Sequence, residues 1–531
     1  ETHNNLGACL FDQQLIPHAI HCYERAITLA PHLAAAHYNL GNARQAEGEH
    51  AAAAACYARA LQLDPTYAAA CTNLGVACYA AGQHDEAFDY YQRAIALEPN
   101  NVEAQNNLGV LYHDRKQYDH AIQCYRTAIS SKPDYLDAQI NLGLALKELG
   151  RFDEAVECYQ RVIEAMPDCA EAHNNLGVVL QSARHVGQAE ASYRRAIELR
   201  SDYAEAQCNL GALLRERASL TDAAAQFRQA IDCQPELVAA YVGLADTLSD
   251  LNDHRAAMQT YDRAVELAPD HAEARFSRSL ALLRNGDFER GWVEFQWRWK
   301  TEQLNDRQLS APRWEGQSLT GKRILIHAEQ GIGDTFQFIR YLPLVQQLGG
   351  QVVFACSERL HPLLRNAPGL DEIVPLDHSL PVCDCHAPLL DLPRLFGTTL
   401  DSIPNQVPYL KADATLVEHW RSRLEAGSKR RIGICWEGNR NHRRNRLRSL
   451  SVECVSRLAG VPDVTLVSLQ QPRECNDQLT TGTDVLCFPE MDQAPGAFID
   501  SAAIIRNLDL VITCDTTIAQ CHSAFEYRSH R

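Results

Sequence analysis

The sequence predicts an α-solenoid of two-helix repeats followed by two doubly wound α/β domains in series. Three observations carry that prediction. Residue types recur every 34 positions through the first 300 residues, a period that belongs to a helix–turn–helix unit. After Lys322 the pattern changes to short β-branched runs alternating with helical stretches and turns, which is how βαβ units read. The charge divides in the same place: residues 1–300 hold 26 Lys or Arg against 40 Asp or Glu, and residues 301–531 hold 24 against 27. The expected domains are a repeat domain with an aromatic cap at 1–305, a first sheet domain at 306–428 and a second at 429–531.

The repeats justify themselves by four series in one register. Glycine stands at Gly7, Gly41, Gly75, Gly109, Gly143, Gly177 and Gly211, and alanine at Ala19, Ala53, Ala87, Ala121, Ala155, Ala189, Ala223 and Ala257. Aromatics fall at Tyr23, Tyr57, Tyr91, Tyr125, Tyr159, Tyr193, Phe227 and Tyr261, and prolines at Pro31, Pro65, Pro99, Pro133, Pro167, Pro235 and Pro269. One unit reads as a helix over about 34–47 and a second over about 51–63, ended by Pro65, which cannot continue a helix. The small residue lets the second helix pack close, and the aromatic is expected to fill the gap between neighbouring units. One unit cannot bury its apolar face alone, so units stack into a solenoid with a groove. This pattern resembles the tetratricopeptide repeat.

A fifth series concerns binding. Asn5, Asn39, Asn73, Asn107, Asn141, Asn175 and Asn209 precede each Leu-Gly step, and Gly243 breaks the run. Asparagine is a poor helix-interior residue. Seven in register serve either as hydrogen bonds between neighbouring repeats or as an amide ladder that holds an extended peptide backbone, since an amide both donates and accepts. The ninth unit is degenerate and carries Trp292, Trp297 and Trp299, three of the six tryptophans in the chain. Large aromatics at the end of an array suit a cap docked on another domain.

In the second half, 323–328, 351–356, 372–376 and 383–388 read as one set of strands, 406–413 as a crossing segment, and 431–436, 464–469, 485–488 and 508–514 as a second set. Ligands of such folds bind at the carboxyl ends of the strands. Three motifs lie there. Glu329-Gln330-Gly331-Ile332-Gly333-Asp334-Thr335 is a glycine-containing strand-to-helix turn; Asp334 at the helix start caps the helix or acts as a general base. Residues 429–448 hold eight Lys or Arg and one acid, Glu437, a local positive site suited to a diphosphate. Cys514-Asp515-Thr516-Thr517 offers hydroxyls and N–H groups at a helix start.

Composition sets the outer limits. A chain that is 46% hydrophobic and 22% charged is neither collagen-like nor low-complexity. A formal charge of −17 argues against a non-specific nucleic-acid binder. No apolar run approaches the ~18 residues of a membrane span. Nineteen cysteines without a CxxC pair fit a reducing, cytoplasmic setting, and Cys383, Cys385 and His386 read as a strand with small buried side chains in preference to a metal site.

Behind the repeats, the three motifs in this order resemble the bacterial tetratricopeptide-repeat glycosyltransferases, with a catalytic part similar to the heptosyltransferases and, more distantly, to O-GlcNAc transferase. The resemblance implies a GT-B fold of two Rossmann-like domains and an inverting, metal-independent transfer of a sugar from a UDP- or ADP-linked nucleotide-sugar to an acceptor hydroxyl. It implies no further cofactor. Asp334 matches the general base. Gln330, Gly331 and Gly333 belong to the same motif, and Asn439, Arg446, Arg448, Ser449, Asp515, Thr516 and Thr517 would line the donor diphosphate. A protein or peptide acceptor would lie along Asn39, Asn73, Asn107, Asn141, Asn175 and Asn209. The alternatives are a non-catalytic peptide-binding scaffold with a degenerate transferase domain, and a glycolipid heptosyltransferase. Two departures stand out: Gln520 occupies a position where the family carries His, and only about 100 residues follow Arg431. The chain is therefore expected to be cut short at both ends, with an incomplete donor domain.

Overall fold

The computed structural model describes residues 1–301, 309–329, 331–424, 430–438, 449–470, 485–493, 496–514 and 516–525. The chain divides into two compact units, Glu1–Leu213 and Leu214–Arg531.

The first unit consists of helix pairs on the 34-residue period: Thr2–Asp12 with Ile16–Leu29, Ala34–Ala46 with His50–Leu63, and so on to Ala170–Ser182 with Val186–Leu199. The aromatic series does reach toward the next unit, as Tyr57 does in its hydrogen bond with Asn73. It also packs on the glycine of its own pair: a Cβ added at Gly41 would lie 2.6 Å from the Tyr57 ring, and one at Gly109 2.5 Å from the Tyr125 ring. A bare Cα in the first helix thus lets the ring of the second lie against backbone, and Tyr57, Tyr91, Tyr125, Tyr159 and Tyr193 are all buried. The turn inside each pair passes through the left-handed region, at Gln14, Gly48, Gly82, Lys116, Gly150 and Arg184, where only glycine is unstrained.

The connection between pairs is tied down by a further series. His37 Nε2 lies 3.0 Å from the Pro31 carbonyl, His173 Nε2 3.1 Å from that of Pro167, and Gln207 Nε2 donates to Ser201 O at 2.9 Å. The role recurs while the residue type changes, so a search for repeated letters passes over it.

The second unit begins with the remaining pairs, including Val238–Asp250 with His254–Leu267 and Ala272–Arg284 with the short Phe288–Glu294, which runs into a 3-10 turn over Phe295–Lys300. At the head of this unit the Phe227 ring crowds Gly243, the residue that breaks the asparagine run; an added Cβ there would meet it at 2.3 Å. Phenylalanine stands here in the tyrosine series and glycine in the asparagine series, and the two are in contact.

Two four-stranded parallel sheets follow. Strands β1 (Arg323–His327), β2 (Gln351–Cys356), β3 (Glu372–Pro375) and β4 (Cys385–Pro388) stand in the order β3-β2-β1-β4; β5 (Arg430–Cys435), β6 (Val464–Ser468), β7 (Val485–Leu486) and β8 (Leu510–Thr513) stand in the order β7-β6-β5-β8. Ile324 pairs with Val352 on one side and Cys385 on the other. Each expected strand is present, with ends displaced by a few residues at most. In each sheet the order reverses beside the first strand, so the switch points lie between β1 and β4 and between β5 and β8.

The two sheets share one apolar core that runs from Trp314 and Ile324 through Phe336 and Phe354 to Ile504 and Phe525. The expected crossing segment does cross: the N–H groups of Tyr409 and Leu410 donate to Ala524 O at 3.2 and 3.0 Å. The Ala414–Leu424 helix beyond it packs on Ile499–Ile505, with Trp420 Nε1 donating to Asp500 Oδ1 at 2.8 Å. Among the described residues no group of three His, Cys, Asp or Glu side chains gathers as a metal site, and no helix is long and apolar enough to cross a membrane. Cys385 is a buried strand residue.

Candidate functional site

The asparagine series occupies the first helix of each pair, one residue per unit. Asn39, Asn73, Asn107, Asn141, Asn175 and Asn209 are all half-buried, and Asn5 is exposed. Four of them bond the preceding unit. Asn39 donates to Asn4 at 3.0 Å, Asn73 to Asn42 at 2.9 Å, Asn141 to Asn106 at 2.9 Å and Asn209 to Asn174 at 3.0 Å. Asn107 accepts from Asn106 at 3.4 Å. The bonding partners Asn4, Asn106 and Asn174 were passed over in the sequence, although the doubled Asn-Asn steps carried the signal. A separation of 35 residues recurs in these links because it sets two first helices side by side. It also joins Tyr79 to Asp114 at 2.7 Å, and in the second unit Arg215 to Asp250 at 2.7 Å and Arg284 to Ser249 at 2.6 Å. Hydrogen bonding between repeats is therefore present, and at Asn73 it extends to the Tyr38 hydroxyl at 3.3 Å; each amide offers two donors and an acceptor oxygen.

The second candidate lies at the strand ends. The Ile332–Phe338 helix leaves β1 with Gly331, not Asp334, as its N-cap; Asp334 sits in the first turn, half-buried. The capping role expected for Asp334 is thus corrected: the bare Gly331 backbone makes the bend, and the carboxylate comes one turn later, where the helix dipole favours its charge. A Cβ added at Gly333 would lie 3.4 Å from Gln520 Cγ and 3.6 Å from Thr517 Oγ1, so the Ile332–Phe338 and Thr517–Ala524 helices approach closely. The first and third motifs, one from each sheet, are brought together in this way.

Thr516 is the N-cap of the Thr517–Ala524 helix. Its hydroxyl lies 3.2 Å from that of Thr513 and 3.8 Å from Cys435 Sγ. Gln470 holds the exit from β5: its Oε1 accepts the Glu437 N–H at 3.2 Å, and its Nε2 donates to Glu437 O at 2.8 Å. Ser449 precedes Leu450, whose N–H donates to Trp436 O at 2.8 Å, so it too stands beside the end of β5. Gln330, Asn439, Arg446, Arg448 and Asp515 lie outside the described residues.

The crevice between β1 and β4 holds residues that sequence reasoning left unassigned. Arg298, from the aromatic cap, is fully buried. Its Nε and Nη2 donate to Glu329 at 3.0 and 2.9 Å, and Nη2 also to Asp391 at 2.5 Å. Burial raises the Glu329 carboxyl above its ordinary value, against the opposing pull of Arg298. The cap does dock as its aromatics predicted: the Trp292 ring meets Phe338 edge-on at 6.0 Å.

Known proteins resemble the repeat half. Models described as tetratricopeptide repeat match residues 1–33, 34–67, 68–101, 90–123, 179–237 and 242–291, and one described as TPR repeat matches 110–150 and 143–182. Protein FlbA of Caulobacter vibrioides is 27% identical over 292 residues, 50% of this chain and 49% of that protein, so the chain spans about half the length of the curated relative it matches. Among solved structures, YrrB, a TPR protein with an unusual peptide-binding site, aligns over 35% of this chain and 96% of its own at 21% identity and a TM-score of 0.30. The APC/C hetero-tetramer Cut9–Hcn1 contributes a chain that aligns over 50% of this one and 52% of its own, at 16% identity and a TM-score of 0.41. With its matched units following one another from residue 1 to residue 291, the chain is a tetratricopeptide-repeat protein.

Proposed function

We propose that the repeat array is a protein-interaction scaffold that holds an extended peptide segment along the face made by the first helices. The supporting observation is the half-buried asparagine column from Asn39 to Asn209, one amide per unit, each with two donors and an acceptor. Amides at one per unit read backbone in preference to side chains, so the partner is an unstructured segment of broad sequence. The test is to pan the chain against a library of unstructured peptides and then to measure the best binder against the Asn141→Ala/Asn209→Ala variant. Affinity should fall about tenfold or more, the equivalent of about 1.4 kcal/mol. Unchanged affinity with a lower melting temperature would assign the column to array stability alone and remove this reading.

A second reading is favoured by the approach of the Asp334 helix to the Thr516–Thr517 helix start. In it the sheets form a glycosyltransferase, with the scaffold recruiting the acceptor. The acceptor oxygen bonds to the anomeric carbon of a nucleotide-sugar, the bond to the diphosphate breaks, Asp334 takes the hydroxyl proton, and the nucleoside diphosphate leaves. In this reading Ser449, Thr516 and Thr517 serve the diphosphate. The chain should then hydrolyse or transfer from a UDP-sugar or ADP-heptose, and Asp334→Ala should lower the rate by about 100-fold or more with an unchanged melting temperature. Absence of nucleotide-sugar binding by calorimetry would end this reading and leave the scaffold standing.

A further inference from the structure

The ion cluster at the switch point of the first sheet is costly for what it contributes to stability. Arg298 is fully buried, and the Glu329 and Asp391 carboxylates are only 4% and 2% exposed. Removing such charges from water costs several kcal/mol each, and apolar residues of similar volume commonly hold two elements together as well or better. What apolar residues do not supply is direction. A guanidinium has a planar fork that fixes a carboxylate in one orientation.

The placement gives that direction a meaning. Glu329 lies two residues past the end of β1 and two before Gly331, the N-cap of the Asp334 helix. Asp391 lies three residues past the end of β4. One guanidinium thus clamps the exits of both strands that flank the switch point. The Glu329 carboxylate also accepts the Leu390 N–H at 3.2 Å, and Asp391 also accepts from Gln296 at 3.0 Å, a second tie to the cap. The guanidinium lies over the rings of Phe295 and Trp299, at 4.6 and 4.4 Å from their centres. The far end of the same helix is held by Trp292 on Phe338. Cap residues therefore touch the Asp334 helix directly at its end and its entry turn through Glu329.

We propose that Arg298 is a positioning residue that couples docking of the repeat cap to the geometry of the Gly331–Asp334 turn. The turn takes its working shape only while the cap holds Glu329 and Asp391. The inference rests on the transferase reading for what the turn does, and on the cluster alone for what holds it.

The test separates direction from adhesion. Arg298→Met strands the buried Glu329 carboxylate and leaves Asp391 with Arg313, 3.6 Å away, and is expected to lower the melting temperature, so it decides nothing by itself. The triple variant Arg298→Met/Glu329→Leu/Asp391→Leu removes the three buried charges of the clamp, leaves only the part-exposed Arg313 that lies 3.6 Å from Asp391, and is expected to regain stability. Hydrogen exchange is then read on amides 331–338 in the full chain, beside amides of the repeats at 34–199. Exchange at 331–338 should remain about tenfold or more faster than in the unaltered chain, with the repeats unchanged and the melting temperature recovered. Arg298→Lys, which keeps the charge but loses the fork, should give an intermediate increase at the same amides. Wild-type exchange at 331–338 in a stable triple variant would overturn the proposal and make the cluster simple packing. If the triple variant is less stable than Arg298→Met, the apolar substitution has failed, and wild-type exchange at 331–338 in Arg298→Lys then overturns the proposal instead. Calorimetry of the unaltered chain with UDP and ADP is run in parallel. Lack of binding there removes the transferase reading, while the exchange result still decides whether the clamp sets the turn.

Discussion

The glycine of each repeat is a matter of contact and not of backbone freedom. Gly109 lies in regular helix, yet a methyl group there would stand 2.5 Å from Cε1 of Tyr125, which is 1% exposed. No real Cβ tolerates that distance, and a ring so enclosed has nowhere to turn. Gly109→Ala should therefore destabilise the chain by about 1–3 kcal/mol, as overpacking does, seen as a lower urea midpoint for the repeats. A variant that truncates the ring as well, Gly109→Ala/Tyr125→Leu, should regain part of the loss. If Gly109→Ala alone is neutral, the ring is free to move and the account of the Gly–Tyr pairing fails. The pairing was legible in the sequence as two series sixteen residues apart, but the contact of the ring with the glycine of its own pair was not. Nothing in a spacing of sixteen says whether a ring turns toward its own pair or the next. The Phe227–Gly243 contact shows that one ring in the array does turn to the next.

At the scale of the element, the helix pairs were legible because Ala, Gly, Tyr and Pro keep their types in every unit. The turn inside each pair was not, since its left-handed residue is Gly in some units and Gln14, Lys116, Arg184, Ala218 or Asn252 in others. The backbone demands one conformation, and the sequence meets it at unequal cost. A non-glycine residue in the left-handed region costs about 1–2 kcal/mol, offset in part by the entropy glycine loses on folding. Arg184→Gly and Lys116→Gly should each stabilise the chain by about 0.5–1 kcal/mol, and Gly150→Ala should destabilise it by a similar amount. Thermal unfolding of the three variants checks the sign. A destabilised Arg184→Gly would mean that the arginine side chain contributes more than its backbone costs. The strands were legible for the opposite reason: buried parallel strands are near-continuous β-branched runs, and Ile324-Leu325-Ile326 or Val464-Thr465-Leu466-Val467 need no periodicity to be seen.

For the molecule as a whole, the sequence divides the sheet half at residue 428 into two domains in series. The strands do form two separate sheets, and side chains from both pack into one core. Phe336, from the helix after β1, is fully buried and meets Phe498, from the segment before the last strand, edge-on at 5.6 Å. The Tyr409 hydroxyl donates to the Phe336 carbonyl at 3.0 Å while its N–H bonds Ala524, so one residue of the crossing segment ties both sides. Such contacts join residues far apart in sequence and leave no local pattern; the same is true of Arg298 with Glu329 and Asp391. One core implies one cooperative unit. Phe336→Ala should cost about 3–5 kcal/mol, as large-to-small changes at buried aromatics do, and the loss should appear in both sheets. Hydrogen exchange of β1 and β2 and of β5 and β6 should accelerate together and by similar factors. If exchange rises in β1 and β2 alone, the sheets open independently. The approach of Gly333 to Thr517 would then be a contact between two bodies free to separate, and the strand-end site would need a ligand to hold it closed.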